Sequence, residues 1–584
     1  IYTMHIKPIL ASLILLIINA EAAPVHLVDE APVQITQVSP EVLLIDFGRV
    51  AYGNLRLTPS TDVTQAITVH YGEDSKEGRV NRKPPGTVRY VKTTAKLDGV
   101  DPIVVAPPVD KRNTIHKKAI HTPVEWGVVL PFRWVEIEGW VGELTTEQIV
   151  RQSAFASTWD DDAADFECSN KLLNRIWELC RYSIKATTFA GVYVDGDRER
   201  IPYEADAYLN QLSHYTTDHD VRMARDTFDQ LMKMPTWPSE WAPHMVFMAY
   251  ADWMHTGDTK WLAPRYESLK TKMLLERARP DGLIGSNAKQ VKRDDIVDWP
   301  KGERDSYVFT PVNTVVNAFH LRVLAQMAEL ADALDKPSEA AEYLQRARAT
   351  QAVFQDTLFD KASGLYRDGI DTDHSSLHAN LFPLAFGIVP VELRQYITEW
   401  LSTRGMACSV YAAQYLLEGL FENGADSTAI ELMIADNDRS WKHMVESGTT
   451  ISWEAWDMKY KPNQDWNHAW GAAPANILPN YVLGARALHP GWKTARIRPH
   501  TGGLSYAKGK VPTPEGPIMI SWENVDTFVL SLTLPNGMNA QVELPHRDGA
   551  SGVTLNGEVV AAKLVDGKWI LGSPIAGKVQ FEVK

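Results

Sequence analysis

The stretch Phe166-Glu167-Cys168-Ser169-Asn170-Lys171-Leu172-Leu173-Asn174-Arg175-Ile176-Trp177-Glu178-Leu179-Cys180 opens with two side chains, Ser169 and Asn170, that can cap a helix. Leu172, Leu173, Ile176, Trp177 and Cys180 then fall on one face of it. Helical spacing dominates from here to about residue 485, as over 311–330, 338–358 and 412–421, with Gly and Pro in the joining loops. The pattern predicts about a dozen helices. That is the count of a toroid of helical hairpins, an (α/α)6 barrel, and no internal repeat marks a solenoid.

On either side the period changes to two. Before the helices come Val42-Leu43-Leu44-Ile45-Asp46-Phe47, Ile67-Thr68-Val69-His70-Tyr71 and Phe132-Arg133-Trp134-Val135-Glu136-Ile137-Glu138, separated by Gly, Pro and charged clusters. After Pro490-Gly491 come Ala495-Arg496-Ile497-Arg498-Pro499, Phe528-Val529-Leu530-Ser531-Leu532-Thr533-Leu534 and Ala540-Gln541-Val542-Glu543-Leu544, with Asn536-Gly537 and Asn556-Gly557 as expected hairpin turns. Residues 100–123, rich in Pro and Lys, read as a surface loop. A chain of 584 residues exceeds what one core can fill. The expected organisation is a signal peptide over 1–22, an N-terminal β-sandwich over 23–165, a catalytic (α/α)6 barrel over 166–487 and a C-terminal β-sandwich over 488–584.

Translation from Met4 would give a basic start at His5 and Lys7, an apolar run from Ile9 to Ile18 and a cleavage signal at Ala20-Glu21-Ala22. Such a run is too short for a bilayer core of about 30 Å. The reading is export, to a periplasm or outside the cell, with no membrane held by the mature form. A net charge of −14, from 73 acidic and 59 basic residues, disfavours nucleic acid as a partner. Three cysteines, Cys168, Cys180 and Cys408, exclude a disulfide framework and a cysteine metal cluster, and buried free thiols are expected. The 19 Trp and 20 Tyr suit a large core and equally suit stacking on sugar rings.

The densest ionisable run is Asp195-Gly196-Asp197-Arg198-Glu199-Arg200-Ile201-Pro202-Tyr203-Glu204-Ala205-Asp206. Carboxylates converging at a helix start can push their pKa values apart and divide acid from base roles. The same run also fits a solvated turn of local ion pairs. The second cluster is Gly448-Thr449-Thr450-Ile451-Ser452-Trp453-Glu454-Ala455-Trp456-Asp457, followed by Gln464-Asp465-Trp466-Asn467-His468-Ala469-Trp470-Gly471. There a Glu stands between tryptophans that could wall a sugar site or simply pack in the core. Asp298-Trp299-Pro300 is a third candidate, and Trp237-Pro238-Ser239-Glu240-Trp241 a weaker one. The sequence contains no phosphate-cradling loop, HExxH or GxSxG.

Taken in order, Glu199-Arg200-Ile201-Pro202-Tyr203-Glu204-Ala205-Asp206, Thr449-Thr450 through Trp456, Asn467-His468 and Arg496-Ile497-Arg498-Pro499 resemble the α-L-rhamnosidases of glycoside hydrolase family 78. The resemblance implies an (α/α)6 catalytic barrel, an inverting mechanism that removes terminal α-linked L-rhamnose, and no cofactor or metal. It implies Glu199 as general acid and Glu454 as the base that activates water. Asp195, Asp197 and Asp206 would bind sugar hydroxyls and keep Glu199 protonated by repulsion, with Arg198 orienting the cluster. Tyr203, Trp299, Trp453 and Trp456 would form apolar walls, Asp298 would bond sugar hydroxyls, and His468 would bond the sugar or position Glu454. The first loop is shorter than in many relatives, so Asp195 and Asp197 compete for one family position. The implied partner is a rhamnose-containing oligosaccharide or glycoside. The alternatives are another (α/α)6 glycosidase, such as an unsaturated-uronyl hydrolase, and a catalytically silent carbohydrate-binding protein.

Overall fold

The computed structural model describes residues 24–59 and 64–584. The expected export signal lies outside these residues. Three bodies follow one another: a β-sandwich, a barrel of helical hairpins, and a second β-sandwich.

The N-terminal body is an antiparallel sheet of eight strands built around one long strand, Val42–Leu57. Leu130–Glu138 pairs along both of its halves, Gln34–Ser39 with the first, and Ile149–Ala156 and Ile103–Val105 with the second. The register shifts between Asp46 and Ala51, where Gly48 has φ 78°, and a bulge of this kind lets a strand turn a corner between two sheet halves. Leu43, Ile45, Leu55, Val69, Phe132 and Ile137 fill the space enclosed.

The strand Asp165–Cys168, at the expected entrance to the helices, pairs antiparallel with Lys510–Ala507 and forms the edge of a seven-stranded C-terminal sheet. A five-stranded sheet packs behind it, with Thr494–Ile497 parallel to Asn539–Val542. Leu555 and Glu558 close a hairpin across Asn556-Gly557, both at positive φ. Asn536-Gly537 instead joins Phe528–Thr533 to Asn539–Pro545, which lie in different sheets, so that turn is a crossover.

Asn170 caps the helix Lys171–Ala186 by accepting from the Leu172 and Leu173 amides, a contact of about 1 kcal/mol. Twelve further α-helices follow among the described residues, alternating between an outer and an inner ring. Outer helices such as Arg222–Lys233 bury one stripe. Inner helices such as Val410–Glu422 and Thr314–Ala333 are buried on nearly every face, as a helix apolar all round requires. Cys168, Cys180 and Cys408 are buried free thiols. No helix among the described residues is long and apolar enough to cross a membrane.

Candidate active site

The segments leading into four inner helices converge on a cavity of about 220 Å³. Asp195, Arg198, Glu199 and Tyr203 precede the helix Glu204–Tyr215, whose first turn supplies Asp206. Trp237 and Trp241 precede His244–Thr256, Ile296 and Trp299 precede Thr314–Ala333, and Glu454, His468 and Trp470 precede Pro474–Ile477. Inner-helix N-termini thus face the cavity, and their partial positive charge favours carboxylates there.

Arg198 organises the two candidate catalytic carboxylates. It donates in parallel to Glu454, Nη1 to Oε2 at 2.6 Å and Nη2 to Oε1 at 2.9 Å, while its Nε lies 3.5 Å from Glu199 Oε1. Lys461 Nζ stands 3.3 Å from Glu454 Oε1. Glu454 is buried, whereas the Glu199 side chain is 40% exposed and accepts from the Tyr203 hydroxyl at 2.8 Å. With both carboxylates on one guanidinium, their nearest oxygens are at most about 9 Å apart, a bound that accommodates the roughly 6.5–9.5 Å spacing of an inverting pair.

Below this pair His468 is fixed between Asp206 at 2.7 Å (Nε2) and Asp465 at 3.1 Å (Nδ1). Burial opposes its charge, but the two carboxylates prevail and hold its pKa well above the usual histidine value. Asp465 is lowered: burial resists, and the His468 charge with its hydrogen bond wins. Both His468 nitrogens are committed, so it is an internal cation beneath the site and has no nitrogen left for a sugar. Its expected direct hold on Glu454 falls to Arg198 and Lys461. Asp195 accepts from the Ile201 amide with one oxygen and buries the other without a partner. Burial raises its pKa well above the carboxylate range; His468 opposes and Glu199 adds to the shift. Burial thus favours the protonated form of Asp195, against the expected repulsion between Asp195 and Glu199.

Four expected site residues lie away from the cavity. Asp197 turns to the N-terminal sandwich, where it forms buried ion pairs with Arg89 and Arg200 and accepts from Asn113, so Asp195 alone of the competing pair reaches the cavity. Asp298 is filled by protein donors: His378 Nε2 at 2.7 Å, the Ser409 amide at 2.9 Å, the Trp299 amide at 2.8 Å and the Ser409 hydroxyl. It braces Trp299 and offers no free oxygen to a sugar. Trp456 is a core residue whose indole donates to Cys408 O and packs edge-on to Trp441. Trp453 stacks on Trp466 behind the cavity wall.

Trp237, Trp241, Ile296 and Trp470 are the walls in their place. Trp470 donates to Glu454 O at 3.0 Å, and Glu240 accepts from the Ile296 and Val297 amides at 3.0 and 2.9 Å. Trp237 and Trp241 were visible as a Trp-Pro-containing cluster, the same signal that marked Trp299. Nothing in the local sequence separates Trp470 from a core tryptophan. Residues 100–123 are also more than a surface loop, because Asn113 is buried against Asp197. Glu454, Asp465 and His468 cluster closely enough to hold a metal ion. Arg198, Lys461 and the charged His468 already neutralise the two carboxylates, so the donor set fits ion pairing better than a cation.

Residues 161–482 match the family model of the bacterial α-L-rhamnosidase six-hairpin glycosidase domain. The chain belongs to this family. Residues 484–557 match the C-terminal domain of the bacterial α-L-rhamnosidases. A curated α-L-rhamnosidase of Alteromonas sp. (strain LOR) is 24% identical over an alignment of 578 residues that covers 89% of this chain and 58% of that protein. Among solved structures, the α-L-rhamnosidase of Dictyoglumus thermophilum superposes with a TM-score of 0.79 at 18% identity, covering 95% of this chain and 63% of that one. The Streptomyces avermitilis α-L-rhamnosidase, complexed with L-rhamnose, gives 0.78 at 19% identity, covering 96% and 54%. The fold is therefore that of an α-L-rhamnosidase, and this chain spans little more than half the length of these relatives.

Proposed function

We propose that this chain is an inverting exo-acting α-L-rhamnosidase. The observation that carries the proposal is the pair Glu199 and Glu454 brought to the one guanidinium of Arg198, over a cavity of about 220 Å³. That volume equals roughly seven waters, the scale of one monosaccharide and not of a chain passing through. Its lining combines acceptors for hydroxyls with the apolar surfaces of Trp241, Ile296 and Trp299, which suits a 6-deoxy sugar bearing a methyl group.

In this reading, Glu454 takes a proton from a water that attacks the anomeric carbon from the face opposite the leaving group. The bond from that carbon to the glycosidic oxygen breaks as Glu199 delivers its proton to that oxygen. Arg198 and Lys461 orient Glu454, Tyr203 orients Glu199, and Asp206 with Asp195 faces the ring hydroxyls. An unsaturated-uronyl substrate would require a cation for its carboxylate. Of the cationic side chains near Trp299, Arg198 and Lys461 are paired with Glu454, and Arg304 donates to Asp298 O. We further propose that the protein is exported, from the Met4–Ala22 signal pattern.

The test is release of L-rhamnose from an α-L-rhamnoside with an alkyl or sugar leaving group by the purified chain, beside Glu199→Gln and Glu454→Gln. Turnover that collapses in both variants supports the assignment. Variants equal to wild type would sink it, and silence on every rhamnoside would sink the substrate class.

A further inference from the structure

A separate cavity of about 200 Å³ lies where the N-terminal sandwich meets the barrel, and it shares no lining residue with the catalytic cavity. On the sandwich side stand Arg133 and Trp134, from the strand Leu130–Glu138, and Asp74 and Ser75, beyond the end of Gln65–Gly72. On the barrel side are Trp466 and the segment 447–450. Trp134 and Trp466 are half-buried. Trp466 stacks on Trp453 with ring centroids 5.1 Å apart, and the Arg133 guanidinium lies 4.6 Å over Trp134, so each indole has one face covered and brings its remaining surface to the cavity. The floor is Glu73, whose two oxygens are taken by the Arg89 amide and by Asn467.

The hydrogen-bonding capacity left over on this wall is specific. Arg133 spends Nε and Nη2 on Asp46, at 2.7 and 2.8 Å, and keeps Nη1. Asp74 accepts from Asn81 on Oδ2 at 2.7 Å and keeps Oδ1. The Thr450 hydroxyl accepts from the Val50 amide at 2.8 Å and keeps its hydrogen, while the Ser75 hydroxyl has no partner among the described residues. The Trp466 N–H is likewise buried without a partner among the described residues, and buried donors of this kind are normally satisfied. Donors and acceptors thus alternate around the space, which is what sugar hydroxyls need, since each both donates and accepts, and the indoles suit the C–H faces of the ring. The volume is close to that of the catalytic cavity and again on the scale of one ring. Arg133, the cation among the lining residues, is already neutralised by Asp46, so the wall has nothing to hold an anion. We infer that this cavity is a second, non-catalytic sugar site that takes a single neutral pyranose ring. The inference stands on this cavity alone and does not rest on the proposed hydrolysis.

The experiment titrates the full chain with D-glucose, D-galactose, D-mannose and L-rhamnose, and with D-glucuronate as an anionic counterpart, by saturation-transfer NMR and calorimetry. The proteins are wild type, Trp134→Ala, Asp74→Asn and, to disable the catalytic cavity, Trp241→Ala, each checked for an unchanged unfolding midpoint. The expected result is a neutral sugar bound with a Kd on the order of millimolar, kept within about twofold in Trp241→Ala and weakened at least about tenfold in Trp134→Ala, the scale of a lost aromatic contact. Asp74→Asn, which keeps the shape and removes the carboxylate, should weaken it as well, and D-glucuronate should bind at least about tenfold more weakly than the neutral sugar. The methyl glycoside of the sugar that binds separates two sources: equal or tighter binding assigns the site to a residue of a glycan, and weaker binding to a free monosaccharide. Binding that disappears in Trp241→Ala and persists unchanged in Trp134→Ala and Asp74→Asn, or no neutral sugar bound in Trp241→Ala at all, overturns the inference and leaves the proposed hydrolysis untouched.

Discussion

Arg198 grips Glu454 through two parallel hydrogen bonds, a geometry that a lysine ammonium cannot reproduce. Arg198→Lys should therefore keep the charge and still lose at least tenfold in kcat, measured on an aryl rhamnoside with KM followed separately. Glu199→Gln should lower kcat by about 10²–10⁴-fold on an alkyl or sugar rhamnoside and much less on a 4-nitrophenyl rhamnoside, whose leaving oxygen needs little protonation. Glu454→Gln should lose on both. Equal losses for Glu199→Gln across leaving groups would remove it from the acid role. At this scale the sequence exposed the two carboxylates, because a charged residue among tryptophans or beside a helix start is conspicuous. It did not reveal which way a side chain turns. Asp197 and Asp298 look as suitable as Asp195 in the sequence, yet their partners Arg89, His378 and Ser409 stand far away along the chain.

The loop 195–203 is held by elements on both sides. Gly196, at φ 104°, lets the chain pass against residues 465–467: a Cβ there would come within 2.9 Å of Asn467 O and Asp465 Oδ2. Gly196→Ala should cost roughly 1–3 kcal/mol from the backbone conformation alone, read by urea unfolding, and should lower kcat as the loop shifts. No loss of stability would mean that residue 196 relaxes to a negative φ at no cost. Helices were legible from their spacing, and Asn170 as a cap from its side chain. The strand Asp165–Cys168 was hidden because four residues carry little periodicity and its partner, residues 507–510, lies beyond the whole barrel. Asn536-Gly537 carries the hairpin signal in its dihedral preference, but that preference does not say whether the next strand stays in the same sheet.

Across the whole molecule the N-terminal sandwich completes the catalytic loops. Glu73 accepts from the Arg89 amide at 2.6 Å and from Asn467 at 2.9 Å, and Asn467 in turn accepts from Tyr52 and the Asp197 amide. Burial pushes the Glu73 pKa up to about 8 from an ordinary 4.5; its two hydrogen bonds oppose the shift, and Asp197 and Asp465 add to it. The folded chain keeps this proton up to about pH 8, while the unfolded chain releases it near 4.5. Stability should then fall by about 1.4 kcal/mol per pH unit between those values from this group. Glu73→Gln should flatten that slope in urea titrations, and an unchanged slope would place the charge on Glu73 at neutral pH. The order of β, α and β bodies was plain in the sequence from its two periods; the contact between the first sandwich and the active-site loops was not, since it joins residues hundreds of positions apart. The most direct test of the whole account is the anomer first formed on hydrolysis of an α-L-rhamnoside, followed by proton NMR before mutarotation. β-L-rhamnose appearing first is the expected result, and α-L-rhamnose first, or no rhamnose, would contradict the pairing of Glu199 and Glu454 as acid and base.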